Sequence, residues 1–399
     1  MNLPMHIAII TIGAFGHVLP TLPYLKELTS RGIRVTYFSS ENFRRTITDR
    51  GVEFVPFETN LTNQGKPAGD VAKNLIAELP LRFLSEADFV ARQILPVLKK
   101  DKPDVIVHDQ LAIAGRLVAK ALDLPTIQFY TSFAANEHFS VARNFPPVPA
   151  DDPARIAADQ LAEKISAEYG IKHLGLFEIF EDKGDFNISV LQRKFHPAGD
   201  TFDDSFVFTG AQIAPRDDSG TWQPPAGDKP LVFASLGTLF NDQPEFYKML
   251  FAAVKDLPVN LVTAIGNSVK AESLGTIPVN VTTGAYLPQL DILEKASLFV
   301  THAGTGSVME SIYYGVPMIG IPQMPEQFFT AMQLEKLGLG KALLDKEQLS
   351  ADLLHDTIKA MLNDPSYCQM SAEFKADMRN SGGARLTAQS IIDFVSRMQ

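Results

Sequence analysis

Short apolar runs of strand length alternate with amphipathic segments along most of this chain, and the alternation runs once, stops at a proline- and aspartate-rich stretch, and starts again. In the first half, residues 6–11, 33–39 and 104–108 read as strands, with helices over 22–30 and 112–122. In the second, strands are expected at 231–235, 260–265, 298–301 and 317–321, with helices at 245–255, 292–295, 307–314, 328–337, 351–362 and 384–398. Strands separated by helices pair in parallel, and a parallel sheet needs helices on both faces. The pattern therefore predicts an α/β protein of two doubly wound parallel-sheet (Rossmann-like) domains, 1–212 and 230–399, joined by a linker at 213–229. The last helix is free to pack back on the first domain. At 399 residues the chain can fill two cores. Ligands of open α/β sheets sit at the carboxyl ends of strands, so two such domains facing each other enclose a central cleft.

The loosest stretches, 60–100 and 133–175, carry many Phe and Ala residues and are read as insertions that shape substrate preference. The linker is marked by Pro215, Arg216, Asp217, Asp218, Ser219, Gly220, Pro224 and Pro225. A formal charge of -10 disfavours nucleic acid and anionic lipid as partners, so any phosphate must be held by local backbone amides. Cys368 is the single cysteine, which excludes an internal disulfide and a thiolate metal cluster and fits a reducing cytoplasm. The apolar run 7–12 is much shorter than the ~20 residues of a spanning helix and is expected to be a buried strand, with no stable membrane insertion.

The strongest local signal is His302-Ala303-Gly304-Thr305-Gly306-Ser307, which closes a strand and opens the helix that carries Glu310. Glycines let a ligand approach the backbone, and the amides of a helix start hold a diphosphate without lysine. No Lys or Arg occurs from Ala296 to Gln333. The same residues also read as a capping box, Ser307 and Glu310 satisfying the helix's own amides, and on local pattern the two readings weigh evenly. Around them, Gly237 and Thr238 offer a second small loop after the strand 231–235. Tyr286 is placed to stack a base and Gln289 to read its edge, although a core aromatic is the commoner fate of such a tyrosine. Glu326 and Gln327 follow the strand ending at Ile321 and suit a sugar.

In the first half, His17 follows the first strand in a loop beside Gly16, and Asp109 follows the strand 104–108 at the same sheet edge. His108, one residue earlier, must point to the other face. Histidine is the side chain best poised to take a proton near neutral pH, and a carboxylate fixes its tautomer. The alternatives are a solvated or capping histidine and an aspartate that caps a turn.

These residues resemble the UDP-glycosyltransferase superfamily over nearly the whole chain, and within it the bacterial macrolide and antibiotic branch. Gly16-His17-Val18-Leu19-Pro20-Thr21-Leu22-Pro23, Pro288-Gln289-Leu290, Thr301-His302-Ala303-Gly304 and Pro322-Gln323-Met324-Pro325-Glu326-Gln327 carry the resemblance to that branch. It implies a GT-B architecture and an inverting, metal-independent transfer of a hexose, glucose first among the candidates, from a UDP-sugar to a hydroxyl of a small hydrophobic acceptor such as a macrolide, polyketide or phenol. The UDP-sugar is then a co-substrate and no cofactor is implied. By the same resemblance His17 is the general base and Asp109 its orienter; Tyr286 stacks the base, Gln289 contacts it, and Glu310 binds the ribose. Thr238, His302, Gly304, Gly306 and Ser307 surround the diphosphate, and Glu326 and Gln327 the donor sugar. Three positions depart from the usual Trp, Asn and Asp of the family: Tyr286, Gly306 and Glu326, the last bearing on which sugar is held. Phe15, Phe133 and Phe139 are candidate acceptor-lining residues, though core packing accounts for them equally well. The sequence contains no Asp-x-Asp, the usual carboxylate pair for a metal-held diphosphate.

A nicotinamide oxidoreductase would share the alternation, but Gly13-Ala14-Phe15-Gly16 is not the dinucleotide fingerprint. A non-catalytic nucleotide-sugar-binding protein would keep Ser307 and Glu310 but has no use for His17 and Asp109. A nucleotide-sugar hydrolase or epimerase would use the same cleft but needs no apolar acceptor pocket. Oligomeric state is not legible.

Overall fold

The computed structural model describes residues 5–61, 72–172, 177–214, 222–238 and 241–398, so Pro215 to Gly220 of the expected linker lie outside the described residues. The chain divides into two compact units, Met1–Gln212 with Gly382–Gln399, and Ile213–Ser381.

The first unit is built on seven strands: β1 (His6–Ile10), β2 (Arg34–Ser39), β3 (Glu53–Pro56), β4 (Val105–Asp109), β5 (Thr126–Tyr130), β6 (Phe186–Ser189) and β7 (Phe206–Phe208). Their order across the sheet is β3-β2-β1-β4-β5-β6-β7, with every pairing parallel among the described residues. Helices α1 (Phe15–Val18), α2 (Leu22–Ser30), α3 (Arg44–Thr48), α4 (Ala72–Lys100), α5 (Ala114–Leu122) and α6 (Pro153–Tyr169) connect them. The central strands are covered on both faces, which is why the whole of β1 and of β4 is buried and why Ile, Val and Ala dominate them. Part of the loosely patterned region 60–100 is α4, a 29-residue helix that carries Pro80 and Pro96 inside it and packs on α5 and α6.

The second unit holds β8 (Leu231–Ser235), β9 (Asn260–Ala264), β10 (Val281–Gly284), β11 (Leu298–Thr301), β12 (Met318–Gly320) and β13 (Gly340–Ala342) in the order β10-β9-β8-β11-β12-β13, again all parallel among the described residues. Its helices are α7 (Pro244–Val254), α8 (Gln289–Leu293), α9 (Thr305–Tyr314), α10 (Pro325–Lys336), α11 (Ala351–Asn363) and α12 (Pro365–Asn380). The final helix, α13 (Gly383–Met398), belongs to the first unit: it packs along α2, Phe394 stacks on Phe186 at 5.4 Å, and Gln389 accepts a hydrogen bond from Arg31 at 2.9 Å.

In each sheet the chain begins at a central strand, winds outward on one side, and returns to wind outward on the other. The reversals fall between β1 and β4 and between β8 and β11. At such a switch point the loops leaving two adjacent strands run to opposite faces of the sheet and leave a crevice at the carboxyl edge.

Candidate active site

The crevice of the first unit is where His17 and Asp109 meet. Asp109 is the last residue of β4 and its side chain has no exposed surface. His17 does not lie in an irregular loop beside Gly16; it sits in the single helical turn α1, which begins after Ala14 and runs directly into the turn before α2. Its Nδ1 lies 2.6 Å from Asp109 Oδ2, and its side chain keeps 18% exposure. The other carboxylate oxygen, Oδ1, accepts the Leu111 backbone N–H at 2.8 Å. A carboxylate only accepts, so Nδ1 carries the ring proton and the lone pair of the neutral imidazole is on Nε2. Thr131, buried immediately after β5, brings its Oγ1 to 3.2 Å from the same Nδ1. Thr131 carries no sequence signal because β5 carries none: the buried Gln128 interrupts its apolar run. His108 faces away beneath Gly115, and burial pushes it down to about 4.

The second crevice gathers the remaining candidates in small groups. Helix α9 begins at Thr305, with Gly304 as its N-cap and no side chain capping it. The capping-box reading of Ser307 and Glu310 is therefore set aside: Ser307 lies one turn too far into the helix. Both side chains instead meet Gln289 from α8. Gln289 Nε2 donates to Glu310 Oε2 at 2.6 Å and lies 3.3 Å from Ser307 Oγ. Glu310 is buried, and Tyr286, three residues before Gln289, is 57% exposed. Core packing is thus not what Tyr286 is for.

The backbone before α9 is strained in the way binding loops often are. Ala303 has φ 60, one of two non-glycine residues with positive φ among the described residues, and it is held there although fully buried. At two points the backbone comes so close to the His302 imidazole that only glycine fits. A Cβ on Gly304 would stand 2.4 Å from His302 Nε2, and one on Gly237, itself at φ +77, would stand 2.7 Å from Cε1. Burial pushes His302 down to about 4, partly offset by the Ser235 backbone, toward which the ring is turned without a hydrogen bond of ordinary geometry. At neutral pH it is an uncharged hydrogen-bonding group. The amides of Thr305, Gly306 and Ser307 precede the first intrahelical bond, which Val308 donates to Gly304 at 3.0 Å. Gly306 has nothing within 4 Å of a Cβ, so crowding is not why a glycine stands there. Thr238 is exposed in the turn after β8.

Glu326 and Gln327 open α10 after β12. Gln327 is partly committed to its own helix start: its Oε1 accepts the Gln323 and Met324 amides at 2.9 and 3.1 Å, leaving the amide nitrogen, 3.5 Å from Glu326 Oε1, as its donor. Of the three phenylalanines, Phe15 is exposed and packs edge-on against Phe43. Phe133 is buried against Phe195, and both Phe133 and Phe139 meet His196 edge-on, which makes them part of an aromatic cluster of the first unit. Among the described residues no three His, Cys, Asp or Glu side chains converge as a metal ion requires, and no helix is long and apolar enough to cross a membrane.

Two family models match the chain. Residues 7–124 match the glycosyltransferase family 28 N-terminal domain, and residues 213–374 match UDP-glucoronosyl and UDP-glucosyl transferase. An NDP-glycosyltransferase of Bacillus licheniformis is 34% identical over 98% of each chain. The oleandomycin glycosyltransferase of Streptomyces antibioticus is 32% identical over 97% of this chain and 90% of its own. Among solved structures, a calicheamicin glycosyltransferase superposes with a TM-score of 0.87 at 29% identity, covering 100% of this chain and 99% of that one. Similarity that runs end to end, across both sheets and both crevices, leaves one conclusion: the chain is a glycosyltransferase of the antibiotic and natural-product type, a member of the UDP-glycosyltransferase superfamily with the GT-B fold.

Proposed function

We propose that this enzyme transfers a hexose, glucose before others, from a UDP-sugar to a hydroxyl of a small apolar acceptor such as a macrolide, polyketide or phenol, in one displacement with inversion and without a metal. His17 Nε2 takes the acceptor's hydroxyl proton while that oxygen bonds to the anomeric carbon. The bond from that carbon to the diphosphate breaks, and its electron pair leaves with UDP. Asp109 keeps the ring in the correct tautomer and stabilises the imidazolium as it forms. The α9 amides, Thr238, Ser307 and the neutral His302 steady the departing diphosphate. Tyr286 stacks the base, Gln289 reads its edge, and Glu310 takes the ribose hydroxyls, so the Gln289–Glu310 bond is exchanged for contacts with the nucleoside. Glu326 and the Gln327 amide nitrogen hold the sugar. No cofactor takes part, and the exposed free thiol of Cys368 suits work in a reducing cytoplasm.

The observation that carries this reading is the 2.6 Å contact between His17 Nδ1 and a fully buried Asp109 at a switch point of the sheet. Its test is incubation with radiolabelled UDP-glucose, with and without a panel of phenols and macrolides and in the presence of a chelator. A β-configured glycoside formed only when acceptor is present supports the proposal. Free glucose formed without acceptor identifies a hydrolase instead, and loss of activity with the chelator overturns metal independence.

A further inference from the structure

The turn that carries His17 has no side-chain cap at its start, and it is a single turn long. It runs on into the turn before α2, the Leu19 backbone N–H bonding the Phe15 carbonyl, and a row of buried hydroxyls lies behind it. Thr21 Oγ1 donates to the carbonyl of Val18, the residue after His17, at 2.7 Å. Tyr37 Oη, from β2, stands 2.9 Å from Thr21 Oγ1 and 3.1 Å from Thr11 Oγ1. All three side chains are buried.

Each hydroxyl has one proton, which fixes the direction of the row. Thr21 gives its proton to Val18, so it must accept from Tyr37. Tyr37 has then spent its own proton; Thr11 Oγ1, 3.1 Å from it, directs its one proton to Ser39 Oγ at 3.3 Å and stands beside the row without feeding it. The row runs Tyr37 to Thr21 to the Val18 carbonyl, tying the body of β2 to the far end of the His17 turn. The 2.6 Å contact with Asp109 is the other fixed point of that turn.

We propose that Thr21, backed by Tyr37, is a positioning residue that sets the His17 imidazole against Asp109; this rests on the reading of His17 as the base. Displacing a reacting group by a fraction of an ångström to one ångström costs on the order of 10- to 100-fold in rate. The test compares Thr21→Val, Thr21→Ser, Tyr37→Phe and His17→Ala in the full-length enzyme. It measures kcat at saturating substrates, UDP affinity, melting temperature, and the low-field imidazole N–H proton resonance assigned to His17 by its loss in His17→Ala. Thr21→Val is expected to lower kcat by about 10- to 100-fold and remove or broaden that resonance with UDP affinity unchanged, and Thr21→Ser to restore both. A folded Thr21→Val enzyme with wild-type kcat and an intact resonance overturns the proposal and leaves Thr21 a packing residue. If Thr21→Val does not fold, Tyr37→Phe, which removes one oxygen, decides on the same two readouts. Wild-type activity in His17→Ala would defeat the reading of the base instead, so the two failures are distinct.

Discussion

Replacing Asp109 with Asn keeps the shape of the side chain and removes only its charge and one acceptor, yet the surroundings leave the amide no good orientation. One carboxylate oxygen accepts from His17 at 2.6 Å and the other from the Leu111 amide at 2.8 Å. An asparagine that turns its oxygen to Leu111 presents N–H to His17 and forces the proton onto Nε2, the nitrogen that must accept. One that turns its oxygen to His17 sets two donors against each other at Leu111. In either case the imidazolium formed during attack loses the negative charge beside it, a term of about 4 kcal/mol for unit charges some 4 Å apart at an effective dielectric near 20. That corresponds to about a thousand-fold in rate. Initial rates of glucosylation at saturating UDP-glucose should therefore fall by roughly 10³ in Asp109→Asn, while UDP affinity by calorimetry stays within about two-fold of wild type. Removing a buried charge also relieves desolvation, so the melting temperature is measured on the same preparation and is not expected to explain the loss. A folded variant that keeps more than about a tenth of the wild-type kcat would refute the role given to the carboxylate.

Three further outcomes follow from the second unit and from the buried histidines. Glu310→Ala should weaken UDP binding by roughly 10- to 100-fold, the scale of one charged hydrogen-bond partner, but leave helix content by circular dichroism unchanged because Gly304 caps α9 without help from Glu310. Gly304→Ala places a methyl 2.4 Å from His302 Nε2 and should abolish detectable UDP binding in a protein that still folds; unchanged affinity would mean the His302 ring is not part of the diphosphate site. His108, His196 and His302 are each pushed from 6.5 to about 4, in every case chiefly by burial. Below pH 6.5 the unfolded chain binds protons that the folded chain refuses, so stability must fall from pH 6.5 towards 4 and level off beneath, each residue removing about 2 kcal/mol by pH 5. Urea midpoints at pH 7.5, 6 and 5 check this, and a flat series would contradict it.

Strands with continuous apolar runs were legible in the residues, while short edge strands and strands interrupted by a buried polar residue, such as β5, were not, for a physical reason. Buried on both faces, β8 and β11 are continuous apolar or small-residue runs and match their expected limits. The outer strands β3, β10 and β13 are three or four residues long with polar positions, and β6 hides a fully buried Asn187 that is satisfied by the Gly184 backbone. Helix α12 buries only Ser371, Phe374 and Met378, too thin a stripe to stand out, and it is capped at its start by Asp364, which accepts the Ser366 amide. Within the site, residue types at strand ends were readable, and with them the pairing of His17 with Asp109, whereas pairings that carry no strand-end signal were not. The Ser-x-x-Glu spacing of Ser307 and Glu310 mimicked a cap until Gln289 was seen to engage both. Thr131, Thr21 and Tyr37 carry no motif at all, and their relation to His17 appears only once the strands are placed side by side.

Catalysis here depends most on His17 as the group that removes the acceptor's proton, independently of how the nucleotide is held. The direct measurement is transfer rate and UDP dissociation constant on one preparation of His17→Ala, with the melting temperature alongside. Transfer is expected to fall by about 10² to 10⁴ or more while the UDP constant stays near that of wild type. Transfer at a rate close to wild type, or loss of UDP binding in a folded protein, would contradict it.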